Sequence, residues 1–418
     1  SDRGLLVAAA GLAAGLGCSS TLDVGATAGP VDAGTEGAAT GDGTVIDAPI
    51  ADAVLVPSVG DDSPVAIISS YDGPVLTTLP PGVLATGQSQ PGAIAVDDTY
   101  VYWANADPRG GDAILRCAKT GCGNAPEVLA TGQWGPPANL VVRAGRLYWG
   151  GTFAVAECAV SGCSRPTFDL AGNAVGSVAL DSSGDVFFVA NTQVLRASGD
   201  LDGSTVVTLF ANPADAAAAG PEWRTQSIAI DGTTLFALET AGGGVFSCDL
   251  GDCVATAAVR GAIEIGPLGT VLADLLAFDA NNIYLVDVVR SAGTTSSSLL
   301  LLPRASLAPV ASEAGAGMDI ATPLVAGLSA PAAIVADGTT VYFADQGDRT
   351  PAGGAVPGAG RIGKCPATGC NGAAQVIKDY LSSPSAIAVD DTNVYWTEQG
   401  AGGDAGAGLT GRVVFHVK

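Results

Sequence analysis

Short apolar runs broken by turn residues fill the chain from about residue 63 to Lys418, and one phrase among them returns seven times. It reads Ala93-Ile-Ala-Val-Asp97 followed by Val101-Tyr-Trp103, and again Ala386-Ile-Ala-Val-Asp390 followed by Val394-Tyr-Trp396. Looser copies are Asn139-Leu-Val-Val-Arg143 with Leu147-Tyr-Trp149, Ser177-Val-Ala-Leu-Asp181 with Val186-Phe-Phe188, and Ser227-Ile-Ala-Ile-Asp231 with Leu235-Phe236. Two more are Leu275-Leu-Ala-Phe-Asp279 with Ile283-Tyr284, and Ala333-Ile-Val-Ala-Asp337 with Val341-Tyr-Phe343. Runs this short, rich in Val, Ile, Tyr and Phe and bounded by Asp, Gly, Thr and Asn, are strands joined by tight turns; long amphipathic helices have no support.

Measured at the Asp, or at the Arg143 that replaces it, successive copies stand 46, 38, 50, 48, 58 and 53 residues apart. That period suits a four-stranded propeller blade and is too long for a leucine-rich or hexapeptide solenoid. The expected architecture is all-β: a seven-bladed β-propeller of four-stranded antiparallel blades. The Ile-Ala-Val run is strand one, the Val-Tyr-Trp run is strand two, strand three ends at a cysteine in several copies, and strand four is a run such as Val128-Leu-Ala130. The hexapeptide Val83-Leu-Ala-Thr-Gly-Gln88 recurs unchanged as Val128-Leu-Ala-Thr-Gly-Gln133, while the last copy stops at Arg412-Val-Val-Phe415-His-Val-Lys418, one strand short. An N-terminal strand closing the last blade accounts for both and removes two open sheet edges. Residues 64–78 are unassigned, either an edge hairpin or part of an eighth blade.

Cysteine spacing adds a compartment. Eight of nine cysteines form four pairs of identical spacing: Cys117 and Cys122, Cys158 and Cys163, Cys248 and Cys253, Cys365 and Cys370. Each pair brackets a turn, so a hairpin brings the two within bridging distance. Four local disulfides in an oxidising compartment are expected, each contributing roughly 2 kcal/mol and chiefly clipping its own hairpin. Zinc is the alternative, and it requires pairs from different repeats to converge on one ion.

The ninth cysteine ends a different kind of segment. Leu5 to Gly17 is apolar, too short to span a bilayer and of the length of a secretion signal's apolar region. Gly15-Leu16-Gly17-Cys18 resembles the lipobox of bacterial lipoproteins, although Gly15 stands where that motif usually has Leu. The resemblance implies acylation of Cys18, with 1–18 as the signal segment and an ordinary cleaved signal as the alternative; Ser19 and Ser20 would suit an outer-membrane destination. Residues 19–62 carry eight acidic residues with no aromatic residue, Lys or Arg, and read as a disordered, self-repelling tether. The propeller then occupies 63–418. Location in a bacterial cell envelope follows, lipid-anchored at the outer membrane or extracellular, with the membrane touched through the lipid alone.

With 18 Lys and Arg against 41 Asp and Glu, the net charge of −23 opposes nucleic acid and anionic membrane surfaces. A monomer is expected.

Tyr395-Trp396-Thr397-Glu398, Tyr102-Trp103-Ala104-Asn105 and Tyr342-Phe343-Ala344-Asp345 resemble the YWTD repeat of receptor-type propellers and their bacterial relatives, including uncharacterised propeller lipoproteins. The likeness covers about residues 80–418. It implies the fold and a binding scaffold, and it implies that the acidic residue closing this motif hydrogen-bonds between blades. Two departures stand out: the YWTD family usually has six blades, and the cysteine hairpins are not part of its motif.

Candidate chemistry concentrates where strand two ends. Asn105, Gly151, Asn191, Glu239, Asp287, Asp345 and Glu398 occupy that position in successive repeats, on the face opposite the Asp turns and the cysteine hairpins. Hard oxygens ringing a channel would suit Ca²⁺ or a cationic group. The Gly-rich loops at 105–112, 345–360 and 398–410 share this face and suit recognition. The turn aspartates read as structural. Enzyme signals are sparse: His416 is the single histidine, and no nucleotide-binding fingerprint stands in a strand-turn-helix setting. Asp200-Leu-Asp202-Gly203-Ser204 lacks the downstream Glu of a calcium loop, and Trp134 and Trp223 read equally as sugar platforms or rim plugs.

The leading expectation is a binding module that takes a protein or glycan of the cell envelope on its loop face. The alternatives are a Ca²⁺-dependent hydrolase of the propeller lactonase kind, using Asn105, Asn191, Glu239 and Asp287, and a purely structural envelope lipoprotein. The anchor has its own test: labelled fatty acid should enter the wild-type chain and not the Cys18→Ser variant, and equal labelling of both would refute acylation.

Overall fold

The chain divides by its internal contacts into Ser1–Ser69 and Ser70–Lys418. A computed structural model describes residues 79–418 except 107–111, 133–136, 138, 152–153, 164–166, 171–174, 191–192, 198–200, 202–205, 212–224, 240–243, 254–257, 263–268, 292–293, 307–320, 349–355, 372 and 401–409. Cys18, the tether, residues 64–78, Asn191, Trp134, Trp223 and most of the Asp200–Ser204 string therefore lie outside the described residues.

Among the described residues the strands form seven four-stranded antiparallel sheets, the blades of a propeller. Their innermost strands are Pro91–Val96, Leu140–Arg143, Val175–Leu180, Thr225–Asp231, Gly269–Phe278, Pro331–Ala336 and Pro384–Val389. Each of these lies beside the next and the last lies beside the first, so the ring is closed. In blades one to six the chain steps outward through four consecutive strands. The seventh sheet takes Pro384–Val389, Asn393–Glu398 and Gly411–Val417 in turn, with Val83–Gln88 as its outermost strand and Val83 opposite Val414. Leu84 and Ala85 are buried there just as Leu129 and Ala130 are buried in the outer strand of blade one, so the repeated hexapeptide fills the same slot in two blades.

The packing explains why the second strands carry apolar residues on both faces through their middle positions. Strand side chains alternate between faces, and here both faces are covered. Val101 and Trp103 pack toward blade seven with Leu84, Ala388, Tyr395 and Val413, whereas Tyr102 and Ala104 pack toward blade two with Leu140, Leu147 and Trp149. The same split recurs around the ring: Val394 and Trp396 face blade six while Tyr395 faces blade one, and Val341 and Phe343 face blade five while Tyr342 faces blade seven. Seven apolar clusters result, one for each junction between neighbouring blades.

All four cysteine pairs are disulfides, with Cα atoms 4.8 to 5.5 Å apart, and no zinc arrangement is needed. Their role is broader than the local clip read from spacing. Each disulfide belongs to the cluster between its own blade and the preceding one, as Cys117 and Cys122 do with Leu84, and Cys365 and Cys370 with Leu324. The Cys370 Sγ touches the Leu324 carbonyl oxygen at 3.2 Å. The reason is register: Cys117 lies opposite Val101 and Cys365 opposite Val341, so each first cysteine points to the same face as those valines.

Emptying one junction should therefore cost far more than trimming an outer edge. Trp396→Ala, at a side chain 1% exposed, is expected to lose about 3–5 kcal/mol in denaturant titration. Val128→Ala, at an outer-strand side chain 52% exposed, is expected to change stability by about 0.5 kcal/mol or less. Similar losses at the two positions would contradict a core lodged between blades.

Candidate functional site

The two rims of the ring use their polar residues differently. On the rim of the turns between strands one and two, Asp97 Oδ1 accepts the amides of Thr99 and Tyr100, at 2.8 and 2.7 Å, and its Oδ2 accepts the Tyr102 hydroxyl at 2.7 Å. Asp279 with Tyr284, Asp337 with Tyr342, and Asp390 with Tyr395 repeat this arrangement. A further residue, invisible as a motif in the sequence, ties three of the turns to the next blade. Lys119, Arg304 and Lys418 each follow directly on a third strand, and each reaches the turn aspartate of the preceding blade: Lys119 to Asp390 at 2.7 Å, Arg304 to Asp231, and Lys418 to Asp337 at 2.5 Å. Arg304 and Lys418 also lie over the rings of Phe236 and Tyr342.

These contacts set the titration of the rim. Burial pushes Asp337 up, but hydrogen bonds from Lys418, Thr339 and Thr340 outweigh it and bring the carboxyl down to about 2. Asp390 is held well below the usual carboxylate range by the same opposition, with Lys119, Thr392, Asn393 and Tyr395 as its donors. Burial and the neighbouring carboxylates push Tyr342 and Tyr395 up to about 12.

On the opposite rim, the residues closing strand two hold the links by which one blade passes to the next. Glu398 accepts the Trp396 indole at 3.0 Å, Arg412 at 2.8 Å and the amide of Ser382 at 3.3 Å. Asp345 accepts the amides of Ser329, Ala330 and Gly347 and pairs with Arg361 at 3.2 Å. In blade one the acid is replaced by two amides: Gln88 Oε1 accepts both the Trp103 indole, at 3.0 Å, and Asn105 Nδ2, at 3.1 Å. The links themselves share a signal that a search for strand runs passes over, namely Ser89-Gln90-Pro91, Ser329-Ala330-Pro331 and Ser382-Ser383-Pro384. The prolines fit tightly; a Cβ on Gly411 would stand 2.4 Å from Pro91 Cδ, and one on Gly360 would stand 2.5 Å from Pro384 Cδ.

The residues expected to ring the channel thus have unequal fates. Asp345 and Glu398 are buried and engaged in the links, and Asn105 is engaged through its Nδ2 while its Oδ1 is buried without a partner. Glu239 closes strand two of blade four, with its side chain outside the described residues. Asp287 departs from expectation: it stands inside a strand running from Asn282 to Ser291, opposite Val271 and Ser298, because blade five has ten-residue strands where the other second strands have five or six. Among the described residues, no three Asp, Glu, His or Cys side chains converge as a metal would require.

Two recesses flank these structures. One, of about 170 Å³, opens on the loop rim and is lined by Gly327, Ser329, Asp345, Gly347, Asp348, Ala359 and Arg361. There Ser329 Oγ donates to Asp348 Oδ1 at 2.9 Å. The other, of about 280 Å³, lies on the turn rim between blades two and three, beside Arg143 and Arg146.

No family model and no curated protein matches the sequence. Similar solved structures include the WD40 domain of Neurospora crassa Pan2, at 11% identity and a TM-score of 0.51 over 78% of this chain and 89% of that one. A nidogen/laminin complex matches at 15% identity and a TM-score of 0.42, over 65% of this chain and 90% of that one. BamB from Moraxella catarrhalis matches at 9% identity and a TM-score of 0.43, over 78% and 84%. At such identities the likeness concerns the propeller fold alone.

The turn rim predicts two pH windows. Asp337, lowered from 3.8 to about 2, contributes stability that is complete above 3.8 and lost as the pH falls toward 2. Tyr342 and Tyr395, raised from 10.0 to about 12, contribute stability that is complete below 10 and lost as the pH rises through 12. The melting temperature should fall in both windows and stay level between them. Tyr395→Phe is expected to cost about 1 kcal/mol at neutral pH and to shrink the alkaline fall, and an alkaline fall of undiminished size would place that titration elsewhere.

Proposed function

We propose that this propeller is a binding module of the bacterial cell envelope, held through acylated Cys18, that recognises a protein or glycan on its loop rim. The observation that carries this reading is the recess beside Asp345 and Asp348. It is polar, it is concave, and its floor is fixed by the bonds that hold the Ser329–Pro331 link. A rigid base beneath variable loops is how scaffolds of this type present contact residues. With Asp345 buried and paired with Arg361, the exposed Asp348 carboxylate, the Ser329 hydroxyl and backbone groups favour a partner offering ammonium, guanidinium or sugar hydroxyl groups, and the net charge of −23 would steer cationic surfaces toward it.

A second reading rests on Asn105, whose buried Oδ1 has no hydrogen-bond donor. An orphaned hard oxygen is the kind of ligand Ca²⁺ uses, and Asn191 and Glu239 belong to the same repeat position. It would make the protein a Ca²⁺-dependent hydrolase of the lactonase kind.

Both readings can be tested on the intact chain. Envelope protein and polysaccharide fractions are passed over the immobilised propeller and over its Asp348→Lys variant. Binding that falls at least tenfold in the variant, with an unchanged melting temperature, is expected. Equal binding by both, or none by either, would remove the recess reading and favour a structural role. The melting temperature is expected to be indifferent to Ca²⁺ and to chelator; a rise of several degrees with Ca²⁺ would shift the conclusion to the hydrolase.

A further inference from the structure

Blade two breaks the rule of the turn rim. Where the other repeats carry Asp, it carries Arg143, in the tight turn Arg143-Ala144-Gly145-Arg146 whose central residues have φ of 50° and 76°. The change reverses the direction of the contact between blades. At three other turns a cation from the following blade reaches back to the turn aspartate; here Arg143 Nη1 reaches forward and donates to the Asp181 carbonyl oxygen of blade three at 2.5 Å.

That leaves a charge without a counterpart. The arginines whose side chains are described are otherwise paired with carboxylates: Arg116 with Glu127, Arg146 with Glu157, Arg196 with Asp185, Arg304 with Asp231, Arg361 with Asp345 and Arg412 with Glu398. Arg143 is exposed, and among the described residues its hydrogen-bond partner is a neutral carbonyl. The acids around it are already engaged. Glu157 is held by Arg146 through two bonds, at 3.0 and 2.6 Å, and Asp185 by Arg196. Asp181 Oδ1 accepts the amides of Ser183 and Asp185 and the Ser183 hydroxyl. Beside Arg143 lies the larger recess, about 280 Å³, walled by Ala144, Leu180 and Gly184, edged by Tyr148, and fringed by the exposed Ser182 and Ser183.

The geometry points to a binding site for a small organic carboxylate of monosaccharide size, such as a uronic acid, between blades two and three on the rim opposite the loops. Arg143 supplies the fork that matches a planar carboxylate. Ser182 offers a hydroxyl and Ser183, whose proton is held by Asp181, an acceptor oxygen to the sugar, and Leu180 with the edge of Tyr148 forms an apolar wall for its ring. The volume sits at the lower end of small-molecule pockets, which excludes a large ligand from full burial. The chain's net charge of −23 repels anions in general, so a ligand of this class depends on the local charge of Arg143.

The test is calorimetric titration of the full chain with glucuronate, with glucose as the neutral counterpart, inorganic phosphate as the non-planar anion and a Glu-rich peptide as the macromolecular carboxylate. Glucuronate should bind, glucose should bind at least tenfold more weakly, and the affinity should fall as salt is raised. Arg143→Ala should weaken glucuronate at least tenfold while melting as the wild type does. Arg143→Lys, which keeps the charge and loses the fork, should recover part of the affinity and thereby separate binding from any effect on folding. Absence of glucuronate binding, equal binding of glucose, unaltered binding by Arg143→Ala, or tighter binding of phosphate or of the peptide would each overturn the assignment. Because the site lies on the other rim, none of these outcomes bears on the Asp348 recess.

Discussion

A blade of this propeller has two apolar faces, so it can be stable only between two neighbours. Val101 and Trp103 look one way, Tyr102 and Ala104 the other, and each pair meets the corresponding residues of an adjoining sheet. This mutual burial is the constraint from which the rest follows. It requires the sheets to form a closed circle, since a terminal blade in a row would leave one such face in water. It also places the disulfides: a cysteine opposite Val101 or Val341 is directed into the junction with the preceding blade, and the covalent bond stiffens a wall of the core.

Polar residues then serve to fix the angle and spacing at which the apolar faces meet. At one rim the turn aspartates of four blades gather backbone amides and a tyrosine hydroxyl from their own blade, and at three turns a lysine or arginine from the next blade reaches the aspartate. Pairs as exposed as these contribute on the order of 1 kcal/mol or less, so they orient the blades more than they hold them together. At the other rim Glu398 and Asp345 grip the short links before two of the inner strands, and Gln88 holds Asn105 beside a third. In two of these links the proline, Pro91 or Pro384, lies directly over a glycine of the preceding blade, a spacing that leaves no room for a side chain.

Much of the fold was legible because a strict packing requirement writes itself repeatedly into the sequence. The Ile-Ala-Val and Val-Tyr-Trp runs mark inner and second strands, the intervals between them give seven blades, and the paired cysteines give the hairpins. What escaped the sequence depends on contacts between blades. Lys119, Arg304 and Lys418 share a structural position but no surrounding motif, so their kinship emerges only when each is seen against the aspartate of the preceding blade. Asp287 aligns with Glu398 in the text yet lies within a strand, because blade five continues its ladder through Val288, Val289 and Arg290 where the others have already turned. The carboxylates expected to surround the channel illustrate the same limit: spacing identified Asp345 and Glu398 as equivalent and the YWTD resemblance implied a bond between blades, while geometry supplied the partners, the amides of Ser329, Ala330 and Ser382 in the links.

Repetition also offers a criterion for where function can reside. A position that is alike in every blade answers to a demand that every blade shares, which is packing, turn formation or linkage. Freedom for chemistry lies where one blade departs from the rest without a local structural need. Arg143 satisfies that description: a turn of its length needs no aspartate, the Asp181 carbonyl needs no cation, and yet a charge is kept at a recess in a chain otherwise rich in acid. Asp348 stands just beyond the position that all blades use, so it too is released from the common task while resting on a base that the common task makes rigid. Asp348 and Arg143 thus place opposite charges on opposite rims, and the seven-fold frame between them keeps the two recesses apart.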